Sequence, residues 1–273
     1  MKILSRIYIP LIFLLLYLPI LIVILFSFNE AGSMSHFEGF TFGWYAELFE
    51  DETALTALGN SLSLAVISSV LATVIGTLAA FGLNKMRTRW VSSAIRSVTN
   101  IPMMNPDIVT GVSMMLLFVA AVAIPFLPIK FGRFTMLIAH TTFSLPYVIL
   151  SVLPRFRQMD KHLTEAALDL GCTPAKAFFR VELPGVVPGI VSGLMLGFTL
   201  SLDDFVISHF VSSPDFQTLP LYIYNQTAHD VKYSMNALCA LMVFAILLLL
   251  FAVNFAGTLG KGKKAKKQKE ARA

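Results

Sequence analysis

The sequence predicts an all-α membrane protein with six transmembrane helices, and three observations carry that prediction. Hydrophobic residues make up 56% of the 273 positions, charged residues 14%, and mean hydropathy is +0.74, a balance too apolar for a soluble domain of this size. Apolar stretches at roughly 7–28, 60–83, 95–124, 133–153, 185–211 and 236–256 are each near or above the ~20 residues that a bilayer-crossing helix needs. Basic residues are one-sided. Two lie at the N-terminus, four from Lys85 through Arg96, five from Arg155 to Arg180 and seven in the tail from Lys261 to Arg272, together 18 of the 21 Lys and Arg, whereas residues 29–59 contain none. By the positive-inside rule both termini are then cytoplasmic.

The first stretch has Lys2 and Arg6 ahead of an apolar run from Ile7 to Phe28. The run is long enough to span, and no small-x-small cleavage site follows it, so an uncleaved first helix is expected. The outer loop from Asn29 to Gly59 carries Glu30, Glu38, Glu47, Glu50, Asp51 and Glu52, with Trp44 and Tyr45 placed for the membrane interface. It reads as a solvated acidic loop, or as a face that attracts a cationic ligand or docks a soluble binding protein.

The second stretch, with Ser61, Ser63, Ser68, Ser69, Thr73, Gly76 and Thr77, has the composition of a helix packed on other helices. The third contains Pro102, Pro106 and Asp107, a break of the kind tolerated where protein or a water-filled cavity covers it. Asp107 is a candidate for a solute pathway or for a cap on the helix restarted after Pro106. The fourth, 133–153, leads into a charged cytoplasmic loop. In the fifth, Gly185, Gly189, Gly193, Gly197 and Ser201 recur every four residues as a small-residue ridge. Continued helical phase puts Asp204 on almost the same face and Asp203 about 100° away. Carboxylates inside a membrane helix mark function by default, the alternative being that they sit at the outer end bonded to loop backbone.

Between the fourth and fifth spans the chain reads DKHLTEAALDLGCTPAKAFFRVELP, from Asp160 to Pro184. Asp160 is an N-cap for a helix on which Leu163, Ala166, Ala167 and Leu170 form an apolar face in need of a partner. Gly171 stops that helix, Thr173-Pro174 starts another, and Pro184 is expected to end it. Two alanines permit close approach, and Glu165 offers a carboxylate to an Arg or Lys of a partner.

The spacing of Glu165-Ala166-Ala167, Gly171, Val181 and Leu183-Pro184 resembles the EAA motif of ABC-importer permeases, with Val in place of the more usual Ile. The stretch Phe198 to Ser208 (FTLSLDDFVIS), with Phe210-Val211-Ser212, Pro214, Thr218-Leu219-Pro220 and Asn236-Ala237-Leu238, is similar to the smaller permease subunit of spermidine/putrescine importers. So are Ser27-Phe28-Asn29, Phe40-Thr41, Trp44-Tyr45 and Pro106-Asp107-Ile108-Val109. The resemblance covers nearly the whole chain to about residue 250. It implies a type I ABC-importer permease (MetI-like) fold in the bacterial inner membrane. Residues 1–59 would hold the first helix and periplasmic loop, 60–257 the permease domain with its coupling loop at 154–184, and 258–273 a basic cytoplasmic tail beside anionic lipid. It further implies a second, homologous permease, two copies of a cytoplasmic ATPase that bind the ATP and Mg, and a periplasmic polyamine-binding protein. Glu165, Ala166, Ala167, Gly171, Leu183 and Pro184 would couple to the ATPase. A polyamine needs carboxylates along an aromatic wall, for which Asp203, Asp204 and Asp107 with Phe198, Phe205 and Tyr222 are the candidates. The same class of permease carrying a ferric or aminophosphonate species is the alternative.

Other classes fit poorly. No G-x-x-x-x-G-K-[ST] occurs, so ATP hydrolysis falls to a partner. The five His are scattered without metal-ligand spacing, and Cys172 and Cys239 imply no disulfide framework. Intramembrane aspartyl proteolysis needs two carboxylates from different helices sharing a proton, whereas Asp203 and Asp204 are adjacent. The basic tail reads as a lipid anchor rather than a nucleic-acid site.

Overall fold

The computed structural model describes residues 2–31, 36–86, 88–123, 130–229, 234–248 and 251. The basic tail at 258–273 and the end of the sixth expected span lie outside them. Among the described residues the chain is helical, with only two isolated antiparallel bridges, Asn29 to Phe40 and Ser213 to Phe216. Two compact units form, Met1–Leu55 with Gln226–Ala273, and Thr56–Asn225.

In the first unit, α1 (Lys2–Phe26) is followed by α2 (Gly43–Glu50) and the start of α3 (Glu52–Lys85). The loop after α1 is organised by Asn29, which is 1% exposed. Its Nδ2 donates to the His36 carbonyl (2.8 Å), its Oδ1 accepts from Glu38 N (3.1 Å) and Ala31 N (3.4 Å), and its own carbonyl accepts from Trp44 Nε1 (2.8 Å). Tyr45 shares a 2.8 Å hydrogen bond with the Ser27 hydroxyl and stacks near Phe28. Trp44 and Tyr45, expected at the lipid interface, thus also pin the loop. Asp51 caps α3 by accepting from Thr53 N and Ala54 N, which is why that helix starts two turns before the expected residue 60. A further helix, α12 (Ser234–Leu248), falls in the sixth expected span.

The second unit holds the rest of α3, then α4 (Arg89–Met104), α5 (Asp107–Val122), α6 (Arg133–Gln158), α7 (Lys161–Asp169), α8 (Pro174–Ala177), a π turn (Phe178–Glu182), α9 (Leu183–Leu202), α10 (Val206–Val211) and α11 (Leu219–His229). Four helices are long and apolar enough to cross a bilayer: Tyr8–Phe26, Glu52–Lys85, Arg133–Gln158 and Pro174–Leu202. The pair α4–α5 makes a fifth if it is one span, but it bends by 107°. Pro106 holds Asn105 extended (φ −79°, ψ 145°) and breaks the helix where the sequence places the break.

Helices α6 and α9 form the central seam. Gly189, Gly193, Gly197 and Ser201 are buried on α9, and a Cβ on Gly193 would meet the Val148 Cα at 3.2 Å. Gly76 of α3 admits Val148 from the other side. Around this seam Ala72, Val148, Ile149, Val152, Phe156 and Val186 form the inner core.

Two expected boundaries are corrected. The fifth span does not run from 185 to 211. It begins at Pro174 and ends at Leu202, where the chain turns before α10. Pro184 does not end the second loop helix either. The π turn, closed by the Leu183 N–H donating to the Phe178 carbonyl, carries the helix past it, and Pro184 falls in the first turn of α9. The helical phase argument for Asp203 and Asp204 lapses with the break.

Candidate functional site

Two regions carry the candidate residues. The first lies where the break between α4 and α5 meets the break between α9 and α10. Gly111 of α5 lets the Phe210 ring and the Val206 carbonyl come close, joining α5 to α10. Asp107 is the first residue of α5, exposed, where the helix dipole favours its charge. Asp203 is the exposed C-cap of α9. Asp204 interacts electrostatically with both Asp107 and Asp203. The structure therefore brings the three carboxylates into one field.

Asp204 is not like the other two. Its side chain is 7% exposed, its Oδ2 accepts from Ser208 N (2.8 Å) and its Oδ1 from Ile207 N (3.3 Å), so it caps α10. Behind it lies a buried polar chain across four helices. His140 Nε2 is 3.6 Å from Asp204 Oδ2 and 3.2 Å from Ser208 Oγ, while Nδ1 is 2.7 Å from Ser201 Oγ, which accepts from the Ser68 hydroxyl (3.0 Å). His140 is 1% exposed. Its partners come from α3, α9 and α10, so no sequence spacing announces it; only the rule that a buried polar group must find partners would have flagged it.

The aromatic wall is placed differently from expectation. Phe205 lies 4.6 Å, centroid to centroid, from Tyr224, and His209 lies 5.4 Å from Phe205. Tyr224 is half-exposed, whereas Tyr222 is 2% exposed. Phe198 is half-buried on α9, four residues before the helix ends.

The second region is the loop after α6. Asp160 Oδ1 accepts from His162 N (3.0 Å) and Thr173 Oγ1 from Lys176 N (3.4 Å), so both helix starts read from the sequence are capped. Gly171 has φ +83°, its N–H donates to the Leu168 carbonyl and the Cys172 N–H reaches back to Ala167, which closes the C-terminus of α7. Leu163, Ala166 and Leu170 are exposed while Ala167 is buried, so the apolar face expected on α7 stays open over most of its width. Glu165 is exposed beside His162 (3.1 Å). Leu183 is half-buried and Pro184 exposed. A cleft of about 700 Å³ lies between α7 and the inner ends of α3 and α6, lined by Lys85, Arg157, Thr164, Glu165 and Glu182 among others. Among the described residues no group of His, Cys, Asp and Glu is arranged to hold a metal ion.

Residues 72–259 match the protein family described as "Binding-protein-dependent transport system inner membrane component". The "Putrescine transport system permease protein PotI" of Escherichia coli (strain K12) is 36% identical over 234 residues, covering 86% of this chain and 83% of that one. The "Spermidine/putrescine transport system permease protein PotC" of the same strain is 35% identical over 237 residues, 87% of each chain. Among solved structures, a bacterial ABC transporter involved in the import of the acidic polysaccharide alginate aligns with TM-score 0.72 at 18% identity, covering 93% of this chain and 94% of that one. The MetNI methionine ABC transporter in an inward facing conformation aligns with TM-score 0.60 at 19% identity, covering 72% and 91%. These two likenesses are of fold.

Proposed function

Because the chain belongs to the family of binding-protein-dependent transport system inner membrane components, we propose that it is the permease subunit of an ATP-driven importer of the polyamines putrescine and spermidine. It is a multi-pass inner-membrane transport subunit and not itself an enzyme. The observation that carries the polyamine reading is the 36% identity across 234 residues to a putrescine permease, and the cluster of carboxylates beside an aromatic wall supports it. In this reading six spans cross the membrane with both termini in the cytoplasm. The chain pairs with a second, homologous permease, each permease docks one copy of the ATPase that binds ATP and Mg, and a periplasmic polyamine-binding protein delivers the solute.

The solute carries ammonium groups spaced along an apolar chain. Asp107 and Asp203, both exposed, meet those charges, and Phe205 with Tyr224 covers the methylenes and adds cation–π attraction. Asp204 keeps α10 and His140 in place behind them. On the inner side α7 lies in a groove of the ATPase, with Leu163, Ala166 and Leu170 as its contact face and Glu165 paired to a basic residue there. Closure of the ATPase dimer on ATP moves the two coupling helices together and switches the cavity from inward-open to outward-open.

The test is uptake of radiolabelled putrescine and spermidine by cells whose only polyamine importer contains this chain. Uptake lost in Glu165→Lys, with the protein still in the membrane, supports the coupling role; uptake no higher than in a deletion, despite assembled partners, refutes the polyamine assignment.

A further inference from the structure

We propose that Glu182 is a positioning residue that fastens the coupling helix α7 to the inner end of α3, so that both move with α9 as one rigid body when the partner ATPase closes. The inference rests on the permease reading above but on none of its motif residues.

Glu182 belongs to the cytoplasmic loop, yet it is 2% exposed. Its Oε1 accepts from Lys85 Nζ at 2.7 Å and from the Thr164 hydroxyl at 3.0 Å. These three residues belong to three elements: Lys85 ends α3, Thr164 sits on α7, and Glu182 closes the π turn ahead of α9. A carboxylate is buried at a cost that only pairing offsets, and Glu182 Oε2 finds no hydrogen-bond partner among the described residues. The ion pair with Lys85 therefore carries the burial.

The backbone is shaped for this contact. The five-residue π turn is wider than an α turn, and such turns recur where a functional side chain has to be aimed. Nothing else fixes α7 firmly. Among its described side chains only Ala167 is buried, Leu163 and Leu168 are exposed, and the cleft of about 700 Å³ separates it from the ends of α3 and α6. A helix that must transmit a displacement is held here by one methyl group and one hydroxyl–carboxylate–ammonium chain. Without that chain α7 tilts into the cleft and the stroke of the ATPase is absorbed in the loop.

Two measurements on the assembled importer test this. Spin labels at Leu170→Cys on α7 and Leu78→Cys on α3, both exposed positions, in a chain carrying Cys172→Ser and Cys239→Ser, read the distance between the helices. One narrow distance, the same with and without trapped ATP, is expected, and Glu182→Gln broadens it. A distance that changes on ATP binding in the chain with Glu182 intact overturns the proposal. In proteoliposomes, Glu182→Gln and Lys85→Met raise the ATP hydrolysed per putrescine moved about tenfold, whereas Lys85→Arg, which keeps the ion pair, does not. Glu182→Gln coupling as tightly as the unaltered chain also overturns it. The labels require no solute, so an importer that moves no putrescine refutes the polyamine reading while the distances still decide the role of Glu182.

Discussion

Substituting alanine along the α9 ridge gives a graded prediction. A Cβ at Gly189 would lie 2.8 Å from the Ser151 carbonyl oxygen and 2.7 Å from Arg155 Cγ. The arginine stem swings aside cheaply, but the carbonyl belongs to the α6 backbone, so α6 and α9 must part by about 0.6 Å to recover the 3.4 Å of ordinary contact. A gap of that size forfeits roughly a quarter of the contact energy of the atoms it separates, and overpacking of this kind costs about 1–3 kcal/mol. The better helix propensity of alanine returns up to about 1 kcal/mol. Gly189→Ala should therefore lose about 1–2 kcal/mol. Gly193→Ala, with its Cβ 3.2 Å from the Val148 Cα, should be close to neutral, and Gly197→Ala, whose nearest neighbour is 3.5 Å away, should be neutral or stabilising. The assay is the apparent melting temperature of the purified protein in detergent, read beside putrescine uptake. If Gly189→Ala melts with or above the unaltered protein, or if the order of the three is reversed, the seam between α6 and α9 is not as close as the structure has it.

Gly171→Ala meets no atom within 4 Å but forces an L side chain into φ +83°, so it should cost about 1 kcal/mol through the backbone alone and lower uptake by loosening the end of α7; a thermal melt and an uptake assay check both. Asp204→Asn keeps one acceptor for the two amides of α10 and should lower the melting temperature by the equivalent of about 1 kcal/mol, whereas Asp203→Asn should leave the melt alone and reduce uptake, a division that paired melts and transport rates would expose. Asn29→Ala strands the Glu38 N–H, the Ala31 N–H and the His36 carbonyl, at a cost of about 1–3 kcal/mol for the loop, and protease added to the outer face should cut between 29 and 45 faster.

Features whose cause is local were legible in the sequence. Asp160 and Thr173 cap the helices they precede, Gly171 takes the positive φ that the turn demands, and Pro106 breaks its helix, because each acts on its immediate neighbours. The glycine spacing on α9 also foretold a close helix contact, though not that α6 supplies it. What failed were inferences that carried a helix through a point where tertiary contacts decide. The phase of Asp203 and Asp204 assumed an unbroken helix, and the chain leaves the helix at Leu202. Pro184 looked like a stop because an α-helix cannot supply its missing N–H, but the π turn before it changes the bonding pattern. His140 and Glu182 were invisible as sites, since their partners lie 15 to 97 residues away on other helices or turns.

The π turn also constrains how this chain can change length through evolution. Removing one residue between Phe178 and Glu182 would let an ordinary α-helix form, with no bond lost, but everything downstream would turn by about 100° relative to the loop. Either the glycines would miss α6 or Glu182 would miss Lys85. A single-codon deletion there, harmless in a simple linker, would therefore need a compensating insertion nearby. The loop and the membrane helix that follows are inherited as one unit of fixed length, and exchanging loops between permeases should succeed only when the residue count across 171–189 is kept.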